Sequence, residues 1–401
     1  MKQEFKIPFF LLWCHLKRGN KWTLSLIIFL MSIAFINLIF VNSLFAGVIS
    51  NTNKQVVNTF TGNIMMLPPD GEDFFKETSQ IKTDLESIDK IEAVSPQIIV
   101  PASMKYKNVK GNWTILAVDP ELEKGVTNIY DNMTEGEYLS PDDTDQIIIG
   151  RQIAGGEEVE MNAFSFQDAK VGDKVTLSFD SQSKEFTIKG IFYTKFLETD
   201  KRAFITNKAF NEMFPGSENT ATSFIMKISK TGEEAKVIEE IKAKNIKGKF
   251  YGWEEAAGIM KAITKSFVSI NVIMSIVGIL IAAVTIFIVI YIDVTSKRQQ
   301  VGILRAIGVR PYLINATYIL QTVVYSLSGI AIGTAIFFGL IVTYFKAYPF
   351  SLPIGDVTLV LEYADYIMRL EIFVWVSMLA GIIPSLLVTR VKILDAIWGN
   401  K

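Results

Sequence analysis

The stretch from Lys297 to Pro311 reads KRQQVGILRAIGVRP and lies between two long apolar runs. At about 100° per residue, it predicts a short amphipathic helix with one basic face and one apolar face. The basic face carries Arg298, Gly302 and Arg305, and the apolar face carries Ile303, Leu304 and Ile307. Gly308 lies where a helix often ends, and Pro311 can begin a new one. The alternative is an ordinary basic loop at the lipid interface.

The composition indicates a chain that is partly embedded in a membrane. Half of the 401 residues are hydrophobic, and the mean hydropathy of +0.31 is high for a soluble protein. The net charge is -1, and no Lys/Arg block is interleaved with aromatic residues, which argues against a nucleic-acid partner. Cys14 is the only cysteine and His15 the only histidine. An intramolecular disulfide is therefore impossible, and we predict no metal site.

Four apolar runs are long enough to cross a membrane, because a helix of about 20 residues spans the hydrocarbon core. The predicted spans are 22–47, 267–292, 313–345 and 372–388. For the first run, a cleaved signal peptide is the alternative, but its apolar core would be shorter and would end in a small-residue site. We therefore predict a membrane anchor at this position.

The segments between these spans complete the predicted domain organisation. They are a basic amphipathic stretch at 1–21, a helical stalk at 48–61, an α+β domain at 62–252, a second stalk at 253–266, the basic loop and helix at 293–312, a loop at 346–371 and a tail at 389–401. The predicted fold class is a membrane α-helical protein with four transmembrane helices, arranged one plus three. A large α+β extracytoplasmic domain is inserted between the first two spans on helical stalks.

Basic residues beside the spans predict the orientation, because Lys and Arg are enriched in short cytoplasmic segments. The N-terminal stretch, the 293–312 loop and the tail are rich in Lys and Arg, whereas the 346–371 loop contains only Lys346 and Arg369. We therefore predict a multi-pass protein of the cytoplasmic (inner) membrane. Both termini would lie in the cytoplasm and the 62–252 domain outside.

Within the α+β domain, β-like runs alternate with short helical ones. The predicted strands are 63–67, 97–100, 113–118, 146–149, 174–179, 185–193, 202–205 and 223–228, and the predicted helices are 75–88, 208–213 and 233–244. The segment 155–169 has no clear period and is predicted to be an inserted loop. Phe164 and Phe166 within it would be unusual if they were exposed.

The spans also contain residues that predict close helix packing. Gly329 and Gly333 give the third span a face of small residues, which lets two helices approach closely. The polar residues noted within spans are Asn37, Asn42, Asn271 and Gln321. Because none of these is charged, we predict interhelical hydrogen bonds rather than a substrate path.

No catalytic site is predicted. The sequence lacks a glycine-rich phosphate loop, a G-x-S-x-G turn and an H-E-x-x-H zinc motif. A single histidine removes most acid–base schemes, and no pair of carboxylates is marked by its spacing. We predict that the chain by itself is not an enzyme and binds no cofactor.

The run from Arg298 to Gly308 resembles the signature of FtsX-like ABC-transporter permeases, the type VII or MacB-like group. Gln300 departs from the signature, because the family usually has Glu there, although Gln can still form hydrogen bonds. The tail from Pro384 to Ile397 is also similar to the family's C-terminal pattern. Softer motifs of the external domain resemble lipoprotein-releasing permeases and, less closely, macrolide-exporter permeases; they are IIIGR at 147–151, VGDKVT at 171–176 and GIFYTKFLETD at 190–200.

The resemblance implies an FtsX-like permease domain at 267–398 and an external domain of the MacB-like periplasmic core type. It implies a dimer, either of two copies or of two related chains, with a separate cytoplasmic ABC ATPase that binds ATP and Mg²⁺. The residues implied to contact this ATPase are Arg298, Gln300, Gly302, Ile303, Leu304, Arg305, Ile307 and Gly308. Membrane lipid and an extracytoplasmic adaptor or carrier protein are further partners that the resemblance suggests.

The function implied is mechanotransmission, in which ATPase motion moves the external domain and the substrate is handled outside the membrane. The substrate would be a lipoprotein, lipid, peptide or drug. One alternative is a non-transporting regulator that relays ATPase motion to an external enzyme such as a cell-wall hydrolase. Another is a receptor-like membrane domain without an ATPase.

Overall fold

The computed structural model describes residues 6–156, 159, 162–179, 182–352 and 355–391, and for 259–264 it describes the backbone alone. Several sequence predictions extend beyond these residues. The first five residues of the basic N-terminal stretch, four residues of the predicted 155–169 loop, and residues 392–401 of the predicted tail lie outside the described part.

The helices vary from single turns to more than thirty residues. They are α1 (Lys6–Arg18), α2 (Lys21–Val56), α3 (Thr78–Glu86), α4 (Pro120–Val126), α5 (Arg151–Ala154), α6 (Leu197–Asp200), α7 (Asn207–Met213), α8 (Glu234–Ala243), α9 (Trp253–Ala256), α10 (Ile259–Ser296), α11 (Arg298–Ala306), α12 (Pro311–Ile336), α13 (Val342–Ala347) and α14 (Tyr363–Arg390). Two π-helical turns, Val57–Thr61 and Phe337–Ile341, follow α2 and α12.

The strands are mostly short. They are β1 (Ile64–Leu67), β2 (Phe75–Lys76), β3 (Ile91–Tyr106), β4 (Val109–Val118), β5 (Met133–Gly136), β6 (Gln146–Gly150), β7 (Lys174–Phe179), β8 (Gln182–Phe192), β9 (Arg202–Thr206), β10 (Thr220–Ala221), β11 (Ser223–Ile228), β12 (Lys249–Gly252), β13 (Phe350–Leu352) and β14 (Gly355–Val357).

The chain divides into two compact units. The membrane unit comprises Met1–Ile49, Ser266–Phe350 and Val357–Lys401, and the mixed unit comprises Ser50–Lys265 and Ser351–Asp356. Within the described residues, four helical segments are long and apolar enough to cross a membrane: Lys21–Thr61, Lys265–Ser296, Pro311–Ala347 and Tyr363–Arg390. Each contains one of the predicted spans.

Two helices differ from their predicted course. α14 begins at Tyr363, whereas the predicted span begins at 372, because charged residues such as Arg369 end an apolar run without ending a helix. The predicted second stalk, 253–266, is not one continuous helix, because α9 ends at Ala256 and α10 begins at Ile259. Gly258, between α9 and α10, has φ of +53°, a left-handed conformation that glycine adopts without a Cβ penalty. The stalk role of this segment stays a prediction.

The mixed unit contains strands whose pairing closes on itself. β3 pairs with β4, β4 with β9, β9 with β6, β6 with β8, β8 with β7, and β7 with β3. Each of these six strands contributes to one apolar core, as shown by Met104, Ile115, Ile205, Ile149, Phe186 and Leu177. Such closure protects strand edges from unwanted pairing. It was not predicted, because it depends on contacts between distant strands.

The first part of β3 also pairs with β11, and β1 and β12 continue this side of the sheet. Helices α3 and α8 contribute Leu85 and Val237 to an apolar core that includes Ile64 and Phe224 of the strands. This alternation of strands and amphipathic helices agrees with the predicted α+β class.

Three local predictions for the mixed unit were incomplete. Phe75 lies in β2, paired with Ala221, so the helix begins at Thr78 rather than at 75. Strand β3 runs through sixteen residues although only 97–100 was predicted. In the predicted loop, Phe166 is buried against Trp113, with ring centroids 4.9 Å apart.

Candidate functional site

Helix α11 has well-defined ends. After its last residue, the Val309 N–H donates to the Leu304 carbonyl at 3.0 Å and the Gly308 N–H donates to the Arg305 carbonyl at 3.1 Å. Gly308 has φ of +95°. These two bonds form a Schellman motif, which ends a helix at a left-handed glycine. Pro311 then begins α12, so only residues 307–310 separate the two helices.

The apolar face of α11 is turned outward. Ile303 is 49% exposed and Ile307 is 72% exposed, and Gln300 is exposed beside them. Gly302 is buried on the opposite side, and Leu304 packs partly buried against the core of the membrane unit. We call Gln300, Ile303 and Ile307 the outer face of α11. A soluble helix would normally bury such residues.

The two arginines of α11 have different environments. Arg305 donates from its guanidinium group to the carbonyl of Val391, immediately after α14. The Arg298 side chain is half-buried, and its Nε has no hydrogen-bond partner among the described residues. Arg305 therefore links α11 to the end of α14, whereas the outer face makes no such link to the described part of the chain.

Gly329 and Gly333 of α12 lie directly against α2. A Cβ atom added at Gly329 would lie 2.6 Å from the Cβ of Met31, and one at Gly333 would lie 3.1 Å from the carbonyl oxygen of Ser32. Carbon atoms pack at about 3.5–4.0 Å, so a larger residue at 329 would force the two helices apart. The small residues thus permit close approach of the two backbones.

A buried polar network, not foreseen from the sequence, lies at the end of α10. Asp293 is 3% exposed, and its carboxylate accepts from Lys297 Nζ at 2.9 Å. The Nε2 of Gln321 in α12 donates to Asp293 at 2.9 Å and also to the Tyr325 hydroxyl. The sequence signal was a carboxylate one turn before a lysine at the end of an apolar run.

His15 of α1 completes this network. Its Nδ1 lies 3.3 Å from the Oε1 of Gln321. Because the amide nitrogen of Gln321 faces the carboxylate, its oxygen faces His15 and must accept, which requires a proton on Nδ1. Burial, reinforced by the positive charge of Lys297, lowers the pKa of His15 below its ordinary value. The neutral Nδ1–H form therefore prevails at neutral pH.

The four polar residues noted in the spans have different environments. Gln321 belongs to the network just described, and Asn42 of α2 accepts from Ser275 of α10. Both therefore form the interhelical bonds expected of them. Asn37 is exposed, and the Oδ1 of Asn271 is buried without a partner among the described residues.

Residues 272–393 match the family model described as FtsX-like permease C-terminal. The match includes α11, most of α10, and the helices α12 and α14. The chain therefore carries an FtsX-like permease domain. The outer face of α11, the two glycines of α12 and the Asp293 network all lie within this FtsX-like domain, whereas His15 lies outside it. No curated protein matches the sequence.

About half of the chain is similar to external regions of solved bacterial proteins. The periplasmic region of MacB from Actinobacillus actinomycetemcomitans is 14% identical, with a TM-score of 0.36, over 52% of this chain and 96% of that one. The extracellular domain of the noncanonic ABC-type transporter YknZ from Gram-positive bacteria is 11% identical, with a TM-score of 0.34, over 47% of this chain and 97% of that one. The FtsX-like assignment applies to residues 272–393.

A second buried carboxylate lies in the mixed unit, outside the FtsX-like domain. Asp200 accepts from the backbone N–H of Thr194 at 2.8 Å and from its hydroxyl at 2.9 Å. Burial raises the pKa of Asp200 to about 7, although hydrogen bonds from Thr194 and nearby backbone oppose the shift. The neighbouring Thr199 hydroxyl lies 2.9 Å from that of Thr59, so α6 contacts the π-helical turn that follows α2.

Proposed function

We propose that this chain is the membrane subunit of an ABC transporter and that a separate cytoplasmic ABC ATPase docks on the outer face of α11. The observation that carries the proposal is an exposed apolar helix face, set between two candidate spans of an FtsX-like permease domain. A contiguous exposed apolar surface with a polar rim commonly marks an interaction site. In this proposal the catalytic groups for ATP hydrolysis, and the bound ATP and Mg²⁺, belong to the ATPase.

The outer face has the size and chemistry of a small docking element. Burying an isoleucine side chain contributes roughly 1.5–3 kcal/mol, so Ile303 and Ile307 together can provide much of a specific contact. Gln300 adds a hydrogen-bonding group at the edge. Arg305 is bonded to the Val391 carbonyl, so we assign it to placement of the helix rather than to direct contact, and we keep Arg298 as a proposed contact of the ATPase. This refines the set of eight residues expected from the sequence.

We further propose the orientation indicated by the basic segments. The N-terminal stretch, α11 and the tail would lie in the cytoplasm of the inner membrane, and the mixed unit would lie outside as an extracytoplasmic domain. Two such permease chains would form a dimer around two ATPases. Closure of the ATPases would move the external domains, which would export or extract a substrate such as a lipoprotein, lipid, peptide or drug.

Substitution of the outer face tests the docking proposal. Ile303→Asp places a charge at the centre of the exposed apolar surface, and we expect at least a tenfold loss of the ABC ATPase that co-purifies with the tagged full chain. The ATPase is identified by mass spectrometry of its nucleotide-binding peptides and by ATP hydrolysis of the purified complex.

Thr295→Asp is the matched control, because Thr295 is exposed in the last turn of α10 but lies outside α11. It adds the same charge and should leave co-purification unchanged. Membrane insertion of both variants is compared with that of the wild-type chain. Equal recovery of the ATPase with Ile303→Asp and with the control would refute docking on this face.

A photo-crosslinking residue in place of Phe164 tests what the external domain contacts. Phe164 is 71% exposed, whereas the nearby Phe166 is 2% exposed and provides a control position. Transport predicts capture of lipid or lipoprotein at 164 and nothing at 166. Capture of a cell-wall hydrolase alone would replace transport by the regulatory function.

A further inference from the structure

The carboxylate of Asp293 occupies a position that the docking proposal does not explain. It lies in the last turn of α10, immediately before α11, and is almost fully buried. Lys297, the residue that precedes α11, contacts both carboxylate oxygens at 2.9 and 3.0 Å. A charge within an apolar helix is costly, and such residues usually mark function rather than stability.

The network joins three helices that are distant in sequence. Asp293 belongs to α10, Gln321 to α12 and His15 to α1. Each contact has one consistent direction: His15 donates to Gln321, and Gln321 and Lys297 donate to Asp293. Because a bond to the carboxylate fixes the Gln321 amide, and the amide fixes the His15 ring, the three helices have one preferred arrangement around Asp293.

Stability alone does not account for this arrangement. A buried ion pair can often be replaced by apolar residues of similar volume without loss of stability. Apolar residues can pack in several arrangements, so they do not fix the relative orientation of two helices. The hydrogen bonds among His15, Gln321, Lys297 and Asp293 are satisfied in one arrangement only. The buried pair is thus suited to fix the angle and register of α11 against the spans.

We propose that Asp293 is a positioning residue, which holds α11 in a fixed relation to α10, α12 and α1 through Lys297, Gln321 and His15. The inference rests on the proposed function. In the proposed function, the ATPase docks on the outer face of α11. The Asp293 network then transmits the displacement of α11 to α10, α12 and α1. Asp293 therefore affects coupling between the subunits, and it does not affect their association.

The test uses the full chain in complex with its ABC ATPase, reconstituted in lipid. Asp293→Asn removes the charge and keeps the size. We expect co-purification with the ATPase to stay within twofold of wild type. The increase in kcat for ATP hydrolysis that the chain confers on the ATPase should fall at least tenfold, with KM for ATP unchanged. Thr295→Ala, an exposed neighbour in the same turn, should change neither quantity.

Rescue by charge exchange separates a positioning role from a general defect. In the double variant Asp293→Lys with Lys297→Asp, the amide of Gln321 can reverse and accept, and His15 can adopt the other tautomer. We expect each single variant to lose the stimulation of ATP hydrolysis as Asp293→Asn does. The double variant should regain at least a third of that lost stimulation. Thermal unfolding of each variant shows whether the chain is folded.

The outcomes distinguish the two proposals. If wild-type chain recruits the ATPase and Asp293→Asn keeps full stimulation, the positioning role is refuted while docking stands. If Ile303→Asp leaves recruitment intact, docking on α11 fails whatever Asp293 does. Loss of both recruitment and stimulation in a folded Asp293→Asn variant also refutes the inference. It would show that Asp293 is needed for binding of the ATPase rather than for coupling.

Discussion

Two buried aspartates, one in each unit, are stabilised in opposite ways. Asp293 of the membrane unit is paired with a full positive charge on Lys297, whereas Asp200 of the mixed unit has only N–H and hydroxyl dipoles from Thr194 and nearby backbone. Removing one charge of an ion pair by substitution leaves the other charge buried without its partner. A buried carboxylate that faces only dipoles has no such partner to leave, and burial raises the pKa of Asp200 to about 7. The two regions should therefore respond differently to substitution and to pH.

The largest effect is expected from breaking the ion pair on one side. Lys297→Met leaves Asp293 buried without its counter-charge, which should cost about 3–5 kcal/mol. Adding Asp293→Leu to this variant should restore most of the loss, because the stranded charge is then removed. Thermal unfolding of the purified full chain in detergent measures both. A double variant as unstable as Lys297→Met would show that the network contributes more than charge balance.

The next effect is a pH dependence that belongs to Asp200. Its pKa is raised from 3.8 to about 7 in the folded chain, so the folded state binds the proton more tightly than the unfolded state. The resulting stabilisation is complete below about pH 4 and is lost as the pH rises to about 7. It amounts to at most about 4 kcal/mol.

Substitution by asparagine isolates this contribution. Asp200→Asn keeps an oxygen for Thr194 and removes the charge, so it should flatten the decline in melting temperature between pH 5 and pH 7.5. A smaller slope should persist, since burial also raises the pKa of Glu123 in the same unit. An unchanged slope would assign the pH dependence to other groups.

A smaller effect is expected from one hydrogen bond to Asp200. Thr194→Val removes the hydroxyl donor and keeps the backbone donor, so the pKa of Asp200 should rise further. A hydrogen bond to a charged group contributes about 1.5–3 kcal/mol, and this loss should appear only above neutral pH. The midpoint of the pH-dependent change in melting temperature should move upward. A downward movement would contradict the assignment.

The smallest effect concerns an exposed ion pair, which makes a direct contrast with the buried one. Lys195 and Asp356 are 2.6 Å apart, but their side chains are 38% and 39% exposed. Lys195→Met should change stability by less than about 1 kcal/mol, because solvent and salt screen such pairs. The same melting experiment at low and high salt provides the measurement. A loss as large as that of Lys297→Met would remove the distinction between the two environments.

Features that depend on a regular spacing of residues were predicted from the sequence. Long apolar runs predicted the four candidate spans, and the spacing of Gly308 and Pro311 predicted where α11 ends and α12 begins. The faces of α11 were predicted only in part, because Leu304 of the predicted apolar face packs against the core while Ile303 and Ile307 are exposed. Which face points outward depends on how α10, α12 and α14 pack around the helix, and no local pattern contains that information.

The missed features depend on distant partners. Asp293 was not among the polar residues noted in the spans, and its buried network requires Gln321, 28 residues away, and His15 on another helix. Strand β3 was underestimated because Pro96 and Pro101 usually argue against a strand interior. The closed ring of six paired strands depends on the pairing of β3 with β7. These strands are far apart in the sequence, and no local pattern predicts that they pair.

The bond between His15 and Gln321 has a consequence for biosynthesis. The two residues are 306 positions apart, so the N-terminal helix is made long before its partner leaves the ribosome. During translation, α1 must wait at the membrane while the mixed unit and α10 are synthesised, and Asp293 cannot gain its Gln321 contact until α12 has emerged. The bond between His15 and Gln321 can therefore form only after about four fifths of the chain has been synthesised.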